Sequence, residues 1–94
     1  MQVVGPKGPY PQLDLVAWAQ GEIAVAKQIV DNPGGGLLFA TQTMGQVRSA
    51  LTESDQERWK DVIAALEAAE SSCIWRDFEQ TRSSLELASS GLTA

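Results

Sequence analysis

Histidine is absent from this 94-residue chain, and cysteine occurs once, at Cys73. Without histidine there is no Ser-His-Asp or Cys-His nucleophilic arrangement and none of the usual zinc or haem ligand sets. Neither a metal nor another cofactor is therefore expected, and the chain is read as no enzyme. A lone cysteine forms no intramolecular disulfide, which suits a reducing compartment. Basic residues are scarce too: seven Lys and Arg against twelve Asp and Glu leave a net charge of −5. A protein that grips nucleic acid through its phosphates needs the opposite balance, so direct nucleic-acid binding is not expected. Long apolar runs are also missing. None approaches the roughly 20 residues that span a bilayer, so no membrane association is expected. Met1 to Lys7 show no basic segment leading into an apolar stretch, as a secretory signal would, and the cytoplasm is the expected compartment. No strand-like alternation occurs beyond Gln2-Val3-Val4, which is too short to count.

What remains is an ordinary apolar fraction of 44%, enough for one small globular domain. Residues 1–13 read as an extended arm, because Pro6, Pro9 and Pro11 with Gly5 and Gly8 oppose a helix. Pro6-x-x-Pro9 has the spacing of a proline-rich recognition motif, a spacing common by chance. Residues 14–94 read as a single all-α domain, a small bundle of three to four short helices with a Gly-rich hinge at 32–36.

Asp14 is a good N-cap for a first helix running to about Asp31. Leu15, Ala19, Glu22 or Ile23, Ala26, and Ile29 or Val30 recur at three- and four-residue steps, with Val16, Trp18 and Val25 widening the apolar face. Gly21 inside this helix predicts a close packing point or a weak kink. Asn32-Pro33-Gly34-Gly35-Gly36 then stops it. A triple glycine invites a phosphate-loop reading, but no Lys follows Gly36 and no strand precedes it, so it is read as an inter-helix turn. The second helix is expected over about Leu37–Leu51, on a seam of Leu37, Ala40, Met44, Val47 and Leu51, with Gly45 beside it. Leu38 and Phe39 add apolar area next to the hinge.

Thr52 is expected to cap a third helix, with Ser54-x-x-Glu57 as a second capping register. Its buried face comprises Trp59, Val62, Ile63, Leu66, Ala69 and Cys73. On its other side Glu53, Glu57 and Asp61 fall at four-residue steps, an acidic face that could meet a basic partner. Cys73 reads as a small buried hydrophobe without an activating neighbour. Serine is a poor helix former but a good cap, so a short turn is favoured at Ser71-Ser72, with one continuous helix through it as the alternative. The fourth helix would then run from about Cys73 to Ser89 on Ile74, Phe78, Thr81, Leu85, Ala88 and Leu92. Glu79–Arg82 and Arg82–Glu86 are spaced as surface pairs, and Gly91 stands where a helix C-cap would.

Three tryptophans, Trp18, Trp59 and Trp75, are a marked excess for this length. Tryptophan fills cores and also anchors interfaces. The function expected is non-catalytic protein–protein interaction, through an acidic helical surface bearing Glu53, Glu57 and Asp61 with apolar and Trp anchors. A core this small is often supplemented by docking or by homo-oligomerisation, most simply as a homodimer. An alternative is a small inhibitor or adaptor of the phage-encoded type that offers acidic side chains to a basic or nucleic-acid-binding protein.

Four stretches follow one another in a further suggestive order: Leu37-Leu38-Phe39-Ala40-Thr41, then Ala50-Leu51-Thr52-Glu53-Ser54-Asp55, then Val62-Ile63-Ala64-Ala65-Leu66-Glu67-Ala68-Ala69, then Phe78-Glu79-Gln80-Thr81-Arg82 through Leu87-Ala88-Ser89. This order resembles the C-terminal helical lid of DnaK-type heat-shock chaperones, over just more than half of the chain. Gly34-Gly35-Gly36 stands where that lid continues from a long charged helix, and Ser71-Ser72-Cys73 replaces its Gly-Asp-rich turn. The resemblance implies a stand-alone, lid-like three-helix chaperone or cochaperone module, with no ATPase and no peptide cleft of its own.

Overall fold

The computed structural model describes residues 15–32 and 34–93. The N-terminal arm with Pro6-x-x-Pro9, the Asp14 cap and Pro33 lie outside the described residues. Those described form four helices and no strand: α1 (Leu15–Asp31), α2 (Leu37–Asp55), α3 (Lys60–Ile74) and α4 (Phe78–Thr93). The all-α bundle expected from the helical periodicity is therefore present. Each helix packs chiefly against two neighbours, α1 and α3 both lying between α2 and α4. Short connections force consecutive helices antiparallel. Three antiparallel steps leave α1 and α4 antiparallel too, and the bonds between them show it directly. From Gln20 to Asp31 along α1, the partners on α4 fall from Ser89 through Glu86 to Arg82.

The buried stripes follow the three- and four-residue steps closely. They are Leu15, Ala19, Ile23, Ala26 and Val30 on α1, and Ala40, Met44, Val47 and Leu51 with Thr43 and Ala50 on α2. On α3 they are Val62, Ile63, Leu66, Ala69 and Cys73, and on α4 Leu85, Ala88 and Leu92 beside Thr81 and Ser84. Burying a hydroxyl without a partner costs about 1–3 kcal/mol. Here Thr81 Oγ1 donates to the Asp77 carbonyl (2.9 Å) and lies 2.8 Å from Ser72 Oγ, while Gln80 Nε2 donates to Ser84 Oγ (3.2 Å). Among the described residues, no buried side-chain nitrogen or oxygen lacks a partner.

The helix boundaries differ from those expected, for one recurring reason. Thr52 does not cap a third helix: its hydroxyl donates back to the Arg48 carbonyl (2.8 Å), and α2 continues to Asp55. Ser72 does the same towards Ala68 (2.9 Å), so α3 passes through Ser71-Ser72 and keeps Cys73. A hydroxyl satisfied within its own helix does not end it. The turns are made by aspartates instead. Asp55 Oδ1 accepts the Arg58 N–H (3.1 Å) in the reversal between α2 and α3. Between α3 and α4, Arg76 takes a left-handed backbone (φ 61°). There the Arg76 N–H donates to the Cys73 carbonyl (3.0 Å) and the Asp77 N–H to that of Ser72 (2.8 Å), closing a Schellman turn. Asp77 Oδ1 then accepts the Gln80 N–H (3.2 Å) and caps α4, which starts at Phe78 rather than Cys73. Ile74, expected on the buried face of the fourth helix, ends α3 and is exposed.

Gly91 is not a C-cap. It lies inside α4, where an added Cβ would come 2.7 Å from Val62 Cγ2 on α3. Gly21 is the reverse case, with nothing within 4 Å of such a Cβ, and Gly45 meets only ordinary contacts from Arg48 and Glu70. Arg82 pairs not within its helix but with Asp31 across the α1–α4 seam (2.8 Å), and Glu86 with Lys27 (3.5 Å).

Gly91→Ala is expected to destabilise the fold by about 1–3 kcal/mol in urea titration, since valine in a helix has little rotamer freedom to yield. Val62→Ala in the same chain should recover part of that loss, and Gly21→Ala alone should stabilise by about 0.5–1 kcal/mol. Arg76→Gly removes the left-handed strain and is expected to raise stability by about 0.5–1 kcal/mol.

Candidate functional site

The α2–α3 seam fixes what is displayed at its end. Arg48 grips Glu70 with two bonds, Nε to Oε2 at 2.6 Å and Nη2 to Oε1 at 3.1 Å. The hydrogen bond to Glu70, helped by the charges of Glu70 and Glu67, outweighs partial burial and holds the Arg48 guanidinium above its ordinary pKa. Two turns nearer the α2 N-terminus, the Thr41 hydroxyl donates to the Leu37 carbonyl (2.9 Å) and lies 3.6 Å from the buried Cys73 Sγ. One further turn along, this register sets Leu38 opposite the end of α3.

That end is apolar and uncovered. Leu38 is 71% exposed, Phe39 56%, Ile74 67% and Trp75 80%. Partly buried Leu37 and Phe78 pack against the core at the same end. The exposure has a local cause: α3 ends at Ile74, one residue past Cys73, the last of its buried stripe, and Trp75 occupies its C-cap. On α2, Leu38 and Phe39 flank the buried position Ala40. Isolated exposed hydrophobics are unremarkable, but the start of α2 and the end of α3 together put four of them at one end of the bundle.

The residues singled out in the sequence fall at two ends of the bundle. Trp75 belongs to the apolar patch. Trp59 is 6% exposed and part of the core, with the Arg58 guanidinium 4.5 Å from its ring centroid. Trp18 is half-buried, packed against the core on the first turn of α1. Glu53, Glu57 and Asp61 are all exposed, yet they do not share one helix face: Glu53 lies on α2, Glu57 in the turn and Asp61 in the first turn of α3. They ring the α2–α3 reversal together with Asp55, interleaved with Arg58 and Lys60, and Lys60 pairs with Glu57 at 3.5 Å. The length of α3 separates them from Trp75 by about 20 Å at 1.5 Å per residue. Trp75 and the acidic residues therefore belong to opposite ends, whereas Trp59 stands beside the acidic turn. The contribution of Ile74 escaped the periodicity, although Asp77-x-x-Gln80 carries the capping signal that relocates it.

No group of three Cys, Asp or Glu is placed to hold a metal among the described residues, and no described helix is long and apolar enough to cross a membrane. Comparison with family models, with curated proteins and with solved structures gives no match.

Trp59→Ala is expected to cost about 3–5 kcal/mol of stability, as large-to-small changes in a core do. Trp75→Ala should stay within about 0.5 kcal/mol of the parent chain, because little of its side chain is buried by folding. Chemical denaturation of both variants checks the contrast.

Proposed function

We propose that the chain is a non-catalytic protein-interaction module whose contact surface is the apolar end formed by Leu38, Phe39, Ile74 and Trp75. The observation that carries this reading is the exposure of Trp75 at the end of the bundle that also carries exposed Leu38, Phe39 and Ile74. Folding does not need these side chains in water, and keeping them there invites association. Tryptophan is the residue most enriched among energetic anchors of interfaces, because it brings a large area at a small cost in side-chain entropy. The net negative charge acts differently: the acidic turn end steers partners and sets on-rates rather than supplying the contact. A reducing compartment such as the cytoplasm fits a chain whose one cysteine is buried.

A second reading places the contact at the acidic turn, where exposed Glu53, Glu57 and Asp61 would meet a basic target as a small inhibitor or adaptor does. Salt separates the two, since exposed charge pairs weaken with ionic strength and apolar contacts do not.

Native capture with quantitative mass spectrometry tests the choice. Partners are expected to be lost at least tenfold from a chain carrying Trp75→Ala and Phe39→Ser, and retained by a chain carrying Glu53→Gln, Glu57→Gln and Asp61→Asn. The reverse pattern, with binding that collapses in high salt, would transfer the function to the acidic turn.

A further inference from the structure

We infer that the occupant of the apolar end is a second copy of this chain, joined end to end about a two-fold axis. This rests on reading that end as a protein-binding surface and adds what covers it. The rim of the patch is self-complementary in charge. Arg76 follows Trp75 directly, and Asp77 and Glu79 come next, all exposed. Among the described residues none of the three takes part in an ion pair, whereas Asp31, Arg82, Lys27 and Glu86 at or near the same end are paired. In a two-fold contact residue i meets j and j meets i, so one Arg76–Glu79 match between copies is made twice. Asp31, Asp77 and Glu79 against Arg76 and Arg82 leave this end one negative charge in excess, a weak repulsion that a doubled Arg76–Glu79 match offsets. The opposite end carries twice that net charge, with Glu53, Asp55, Glu57 and Asp61 against Arg58 and Lys60, and Lys60 is already paired with Glu57.

Area sets the strength. The uncovered parts of these four residues amount to roughly 500–600 Å² on one copy, so a pair that covered them fully would bury at most about 1,000–1,200 Å², at the lower limit of specific interfaces. The dimer is therefore a weak one, formed in the micromolar range, with the two Trp75 rings near the axis. At that strength the chain exchanges between monomer and dimer and leaves the same surface open to competition by another protein.

Sedimentation equilibrium of the full chain between 2 and 200 µM tests this. The expected mass rises from one chain to two across that range. Trp75→Ser is expected to raise the dissociation constant at least tenfold while leaving the helical circular dichroism unchanged. Arg76→Glu and Glu79→Arg should each weaken the homodimer several-fold, and an equimolar mixture of these two variants should restore pairing between unlike copies, which only a reciprocal contact allows. A single-chain mass at 200 µM overturns the inference, as does a dimer indifferent to Trp75→Ser. If the chain is monomeric but Trp75-dependent capture of another protein persists, only self-association falls. If capture is absent as well, the surface reading falls with it.

Discussion

Where α3 is allowed to stop governs the display at one end of this protein. The left-handed backbone at Arg76 and the Asp77 cap together end one helix and start the next within three residues. One consequence is that Cys73 closes the buried stripe of α3, while Ile74 and Trp75 are left beyond it. Another is that α4 begins in register to bury Thr81, Leu85, Ala88 and Leu92. A turn two residues earlier would rotate each α4 position by about 200° relative to the core, at 100° per residue. The same turn thus places both the last buried side chain of α3 and the first exposed apolar one.

Packing and exposure are reconciled by a polar framework on the seams. Arg48–Glu70 and the Thr41–Cys73 approach hold α2 against α3, while Gln20–Ser89, Lys27–Glu86 and Asp31–Arg82 hold α1 against α4. The exposed pairs on the α1–α4 seam contribute little stability apiece, and the two-bond Arg48–Glu70 grip more. Their value lies in fixing how far each helix slides along its neighbour, which aromatic and aliphatic side chains alone specify loosely. The apolar core supplies the driving force, and the seams choose the register in which Leu38 comes opposite the end of α3.

The buried stripes of all four helices are legible in the sequence, because the three- and four-residue recurrence of Leu, Ile, Val, Ala and Met reports directly on which side faces the core. Helix ends are less legible. Thr52 and Ser72 look like caps and breaks, but a hydroxyl can bond to its own helix as readily as it caps another, and only the surrounding backbone decides. Gly91 looks like a terminator for the same local reason, whereas its role is set by Val62, 29 positions away in the chain. The apolar patch inherits this ambiguity. Trp75, Leu38 and Phe39 are conspicuous as residues, yet their assembly on one end depends on the boundary at Arg76-Asp77 and on the α2–α3 register.

The absent side chain at position 91 is the point where two preferences of a helix oppose each other. Backbone propensity favours alanine there above every other residue, and the methyl groups of Val62 occupy the space that alanine would need. Selection acting on this domain would therefore see an inverted ranking at that one site. The substitution that ordinarily strengthens a helix becomes the one that pushes α4 off α3, so tolerance to mutation near the end of α4 is governed by its neighbour rather than by its own conformational ease.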